Sequence, residues 1–178
     1  MTKKGHQAVG LALGIVLFSV LKEPLVVAGC LVGSTLPDID YRWGFRKSAF
    51  SHRGITHSLL LSLILLIAGF TAFVVLKNPA GNFLLGLSGG YLSHVLVDAM
   101  SPTGVPSGFS YYPRFRLKTL YRTGDVSEFF VVIGILIAAA GISAVIYYLE
   151  PGYGKKAVEG SLKTLHYLEG KVTELRPK

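Results

Sequence analysis

Residues 59–76 read LLLSLILLIAGFTAFVVL, eighteen positions without a charged side chain. A helix of that length rises about 27 Å, close to the ~30 Å hydrocarbon core of a bilayer. The segment therefore predicts a membrane-spanning helix, and a second such segment at 129–149 repeats the signal. Apolar runs at 7–21 and 82–97 reach the same length once their flanks are included. The run at 25–36 stops at Pro37 and is too short to cross alone, so it reads as a buried, tilted or re-entrant helix. The expected fold is an all-α integral membrane bundle of four to five transmembrane helices. Residues 1–150 form the membrane-embedded domain, and 151–178 form a charged, amphipathic tail.

Composition agrees with this class. Hydrophobic residues make up 51% of the chain, and the mean hydropathy is +0.50. Residues 1–21 have a basic start but no small-residue cleavage site around Ser19–Pro24, which argues against a signal peptide. The net charge of +8 sits between the apolar runs, as topology and anionic headgroups demand. No RNA-binding aromatic signature or zinc-finger spacing is present, so no nucleic-acid partner is expected. The single cysteine, Cys30, rules out an internal disulfide and a thiolate metal site. Three Gly-x-x-x-Gly spacings, Gly10/Gly14, Gly29/Gly33 and Gly86/Gly90, suit close helix packing or pairing between copies of the chain.

With the N-terminus in the cytoplasm, five crossings put loops 37–58 and 101–127 on the same side. Both are rich in Arg and Lys, as positive-inside topology requires. The tail departs from the rule, with six Lys and Arg against four Glu on the outer side. Its Val158, Leu162, Leu165, Leu168, Val172 and Leu175 form an apolar stripe for a membrane surface or a second chain, with His166 beside it in a structural role.

The same topology gathers the chemistry. His6 precedes the first run, Asp38 and Asp40 follow Pro37, His52 and His57 flank Gly54, and His94-Val-Leu-Val-Asp98 ends the fourth run. All lie at one membrane face. Ionisable groups are costly in a bilayer and mark function there. In extended backbone Asp38 and Asp40 point the same way. Gly54 permits a sharp turn between the two histidines. Thr56 and Ser58 are placed to support or cap. His94 and Asp98, four apart, share a helix face and can reach one ion. Arg114 and Arg116 flank Phe115 and suit a phosphate or an anionic headgroup, with Arg53 as a further contact. Asp125 and Glu128 have capping-box spacing, and Glu128 can alternatively serve as a ligand or general base.

Taken in order, His6, Gly33-Ser-Thr-Leu-Pro-Asp-Ile-Asp40, His52-Arg-Gly-Ile-Thr-His-Ser58, Gly90-Tyr-Leu-Ser-His-Val-Leu-Val-Asp98 and Pro102-Thr-Gly-Val-Pro106 resemble the YdjM-type family of membrane-bound, metal-dependent hydrolases. That family looks like a distant relative of the zinc-dependent phospholipase C and single-strand nuclease superfamily. The resemblance spans roughly residues 5–130. It implies metal ligation by Asp38, Asp40, His52, His57, His94 and Asp98, with His6 as a seventh ligand. It also implies one or two zinc ions and hydrolysis of a phosphoester in a lipid or lipid-linked substrate. Asp40 or Glu128 is then the general base, and Arg53, Arg114 and Arg116 hold the phosphate. A metal transporter or a purely structural metal site is the alternative. Transport is disfavoured by the lack of polar groups along 59–76 and 129–149.

Overall fold

The computed structural model describes residues 1–42, 53–110 and 112–150, with Asp40–Arg42 described by backbone alone. Five α-helices account for most of it: α1 (Lys3–Leu21), α2 (Leu25–Gly33), α3 (Leu59–Leu76), α4 (Pro79–Ala99) and α5 (Val126–Leu149). Met1–Ser143 is one compact unit, and Ala144–Lys178 is a second, of which 144–150 are described. Three helices, α1, α3 and α5, are long and apolar enough to cross a membrane. α3 and α5 leave large apolar side chains such as Ile67, Phe70, Phe129 and Ile137 exposed, as helices facing lipid do. The nine residues of α2 rise only about 14 Å, so it does not span by itself. The apolar tail stripe and His166 lie outside the described residues.

Caps explain where the helices start. α1 begins at Lys3, four residues before the apolar run, because the Thr2 hydroxyl accepts from the Gly5 amide at 3.2 Å. α4 begins at Pro79 inside what reads as a turn. The Asn78 side chain accepts from the Gly81 amide at 3.0 Å, and Pro79 supplies the fixed φ of a first helical position. Ser58 caps α3 through the Leu61 amide at 3.2 Å. α1 and α4 therefore carry His6 and His94 on helical backbone.

α4 is the hub of the unit. It packs against α1, α2 and α3. All three Gly-x-x-x-Gly faces are used inside the chain. A Cβ on Gly29 or Gly33 would meet the Phe83 or Leu87 carbonyl of α4, and one on Gly86 or Gly90 would meet the Val26 or Cys30 carbonyl of α2. Gly10 and Gly14 face Ser34 and Val27 across α1 and α2. These faces are consequently not available to a second copy. Gly86→Val should cost at least the upper part of the ~1–3 kcal/mol of overpacking, because backbone on both sides cannot yield. Gly134→Val on α5, where nothing lies within 4 Å, should stay within ~0.5 kcal/mol. Denaturant unfolding in detergent measures both.

The polar connection 101–127 is not strand-free. β1 (Val105–Pro106) pairs antiparallel with β2 (Arg114–Phe115), in register Val105 with Phe115. Tyr121 folds back and is buried, its hydroxyl donating to the Val97 carbonyl at 3.0 Å. Burial, with the Asp98 charge nearby, holds this phenol above its ordinary range, so it is a donor throughout. Met1, Val9, Val97 and Tyr121 form one apolar cluster, with Val131, Val132 and Ile135 of α5 against it.

Candidate metal centre

Four segments converge at one end of α4. α1 contributes His6, the 3₁₀ segment Pro37–Arg42 contributes Asp38, the 3₁₀ turn Ile55–His57 contributes His57, and α4 contributes His94 and Asp98. His6, His57, His94 and Asp98 are buried.

The tightest constellation is a triangle. His57 Nε2 and His94 Nε2 are 3.1 Å apart, and Asp38 Oδ1 lies 3.5 Å from the first and 3.6 Å from the second. Ligands ~2.0–2.2 Å from a tetrahedral zinc stand roughly 3.3–3.6 Å from one another. The spacing fits one ion in that triangle. The tautomer of His94 fits as well. Its Nδ1 donates to the Ser34 carbonyl at 2.7 Å, so neutral His94 turns the Nε2 lone pair to the centre. His57 Nδ1 lies 3.2 Å from the Thr56 hydroxyl. Burial acts to raise the Asp38 carboxyl, but its hydrogen bond with His57 and the imidazoles of His94 and His6 hold it below the usual carboxylate range. It is ionised at neutral pH, as a ligand must be.

Asp98 forms the second constellation. Its Oδ1 accepts from the Met1 amino group at 2.7 Å and stands 3.3 Å from His6 Nε2. Arg53 grips both oxygens, with Nε 3.2 Å from Oδ2 and Nη2 3.2 Å from Oδ1. Asp98 Oδ2 is 3.7 Å from His57 Nε2 and 3.9 Å from His94 Nε2. His6 stacks on His94 with ring centroids 3.5 Å apart, and its buried Nδ1 has no hydrogen-bond partner among the described residues. His6, His94 and Asp98 thus make a second donor group that shares His94 with the first.

Several expectations need correcting. Pro37–Arg42 is 3₁₀ rather than extended, so the alternation that paired Asp38 with Asp40 does not apply. The Asp40 side chain and His52 lie outside the described residues. The sharp turn is taken by Arg53 (φ 59), not by Gly54 (φ −90). A left-handed arginine costs roughly 1–2 kcal/mol. Its bonds to Asp98, Ser101 (2.9 Å) and Thr103 offset that cost.

Arg114 and Arg116 reach carbonyls of their own loop. Arg114 donates to the Thr103 and Gly104 carbonyls at 2.8 and 2.6 Å, and Arg116 to the Pro102 carbonyl at 3.1 Å. They brace the loop, because three consecutive carbonyls leaving α4 need donors. Glu128 is not placed as a base or ligand. Its Oε1 accepts from the Thr2 amide (2.8 Å) and hydroxyl (2.6 Å), and its Oε2 accepts from the Gly124 amide (2.8 Å). It closes a cap-like turn and ties the start of α1 to α5. Glu128→Gln should lower stability by about 1–3 kcal/mol while leaving metal content unchanged, measured by thermal unfolding and elemental analysis.

The family described as YdjM inner membrane protein matches residues 1–157. Inner membrane protein YdjM of Escherichia coli (strain K12) is 32% identical over 162 residues, covering 77% of this chain and 80% of the relative. The YdjM protein of Shigella flexneri gives the same values. Uncharacterized protein YvsG of Bacillus subtilis (strain 168) is 32% identical over 126 residues, covering 65% of this chain and 76% of its own. No solved structure matches the chain.

Proposed function

The chain belongs to the YdjM family of inner membrane proteins, and on that premise we propose that it is a membrane-embedded, metal-dependent hydrolase acting on a phosphoester of a lipid or lipid-linked substrate. The chief support is the buried triangle of His57, His94 and Asp38. Among the described residues it offers three donors at zinc spacing, the number found in catalytic rather than structural sites. A divalent ion held there, zinc by its N,O donor set, would supply Lewis acidity and a nucleophile active near neutral pH.

The chain's own groups do the rest. His94 is oriented by the Ser34 carbonyl, and Asp38 brings the negative charge that an ion requires. Arg53 and Asp98 lock each other and set the wall beside the centre. Asp40 is the general base of this proposal, since Glu128 is engaged elsewhere. Lateral entry of a lipid is supported by an apolar cavity of about 290 Å³ between α3 and α4, lined by Leu65, Ala72, Leu84, Leu87 and Tyr91 among others. Positions 84, 87, 91, 94 and 98 continue one stripe of α4, so the cavity and the donors share a helix face. The Tyr91 hydroxyl also donates to the Thr56 carbonyl, next to His57. The Arg- and Lys-rich loops support a cytoplasmic position for this face.

The test is hydrolysis of short-chain phospholipids and lipid phosphates by protein purified in detergent, with metal content measured on the same sample. Stoichiometric metal, activity lost on chelation, and both lost in Asp38→Asn but not in Asp125→Asn are the expected results. Absence of stoichiometric metal overturns the proposal. Metal present without hydrolysis, with Asp38→Asn unfolded, assigns a structural site. Zinc uptake into proteoliposomes that Asp98→Ala abolishes assigns transport.

A further inference from the structure

A second cavity, of about 400 Å³, lies among Arg53 and residues that follow α4. It is lined by Arg53, Ser101, Pro102, Thr103, Arg122 and Thr123. Among the described residues, two arginines and three hydroxyl-bearing side chains line it. That is the donor set of an anion site, because guanidinium and hydroxyl groups both donate to phosphoryl oxygens. Arg53 is held in place by Asp98, Ser101 and Thr103, so its position is preset before any ligand arrives. Arg122 is exposed and also lines the cavity, on the stretch anchored by the buried Tyr121 and by the Arg122 amide's bond to the Ser127 hydroxyl at 3.1 Å. The two arginines that flank Phe115 are committed to carbonyls and do not line this space.

We propose that this cavity is a phosphate-binding pocket in which Arg122 grips a phosphoryl group and Arg53, Ser101 and Thr103 form the fixed wall. The anion binding follows from the lining alone; its use as the substrate's phosphate pocket rests on the hydrolase reading. The order along α4 then becomes apolar cavity at Leu84–Tyr91, donor cluster at His94 and Asp98, and phosphate pocket from Ser101. An amphiphile with an apolar chain and an anionic head matches that order. The same phosphoryl chemistry also occurs in free phosphate.

The experiment measures binding, not turnover. The full chain is purified in a neutral detergent and titrated by calorimetry with inorganic phosphate and, separately, with dihexanoyl phosphatidic acid. Each titration is repeated with Arg122→Gln, Arg122→Lys and Arg116→Gln, and after chelation. Both ligands should bind, with Arg122→Gln weakening them at least tenfold and Arg122→Lys restoring part of the loss. Arg116→Gln and the metal content should be unchanged. Tighter binding of phosphatidic acid than of phosphate identifies a lipid headgroup as the source; equal binding identifies free phosphate. Equal loss in Arg116→Gln and Arg122→Gln reduces the effect to surface charge and overturns the proposal. Binding that vanishes on chelation and ignores Arg122→Gln assigns the anion to the metal and overturns it too. A protein that binds phosphate through Arg122 but hydrolyses nothing refutes the hydrolase reading and leaves the pocket standing.

Discussion

His94→Ala is expected to reduce the metal-to-protein ratio to that of a buffer blank. The residue gives its Nε2 to both donor groups, 3.1 Å from His57 and 3.6 Å from Asp38 on one side and stacked on His6 on the other. Its loss leaves two donors in the triangle, and no neighbouring side chain among the described residues replaces it. Thr56→Val is the graded comparison. The Thr56 hydroxyl lies 3.2 Å from the outer nitrogen of His57. Removing an outer partner costs ~10–100-fold in metal affinity. The alanine variant should exceed that range and the valine variant should fall within it, both read by competition with a chromophoric chelator. A His94→Ala protein that keeps stoichiometric metal would show that the ion, if bound, sits elsewhere.

Asp98→Asn should have the largest effect on stability, about 3–5 kcal/mol. The wild-type carboxylate is 1% exposed and faces the Met1 amino group, His6 and the Arg53 fork together. An amide at this position has one acceptor where two are needed, and it turns an N–H toward existing donors. The arginine, itself in a left-handed conformation, then loses the contact that holds it there. Asp125→Asn, on an exposed residue, should stay within ~0.5 kcal/mol in the same unfolding experiment. Comparable stability of the two variants would mean that Asp98 is not the hub of this end of the bundle.

Much of this molecule is legible in single residues. The uncharged runs at 59–76 and 129–149 imply helices in lipid whatever their neighbours, because the backbone has no other way to satisfy its hydrogen bonds there. Each of His6, Asp38, His57, His94 and Asp98 borders an apolar run, but α2 is too short to cross by itself, so their meeting at one end comes from helix packing rather than from five alternating crossings. Arg122 carried no signal: it is one of several arginines in a polar loop. The loop contacts of the other arginines were not legible for a related reason, whereas the capping-box spacing of Asp125 and Glu128 did point to the cap-like turn. An Arg-Phe-Arg triplet looks alike whether its guanidiniums meet a phosphate or a loop's carbonyls.

By itself the sequence determined the class of fold, because burial in lipid is a property of segments. Partner choice was decided only by tertiary structure. Gly29, Gly33, Gly86 and Gly90 pack α2 on α4 rather than copy on copy. Three side chains approach to zinc spacing while Asp98 turns to Arg53, His6 and the Met1 amino group. A hydrogen bond or a metal ligand needs its donor placed within a few tenths of an ångström. Residues 38, 57 and 94 reach that precision only when α1, α2, α3 and α4 are packed together.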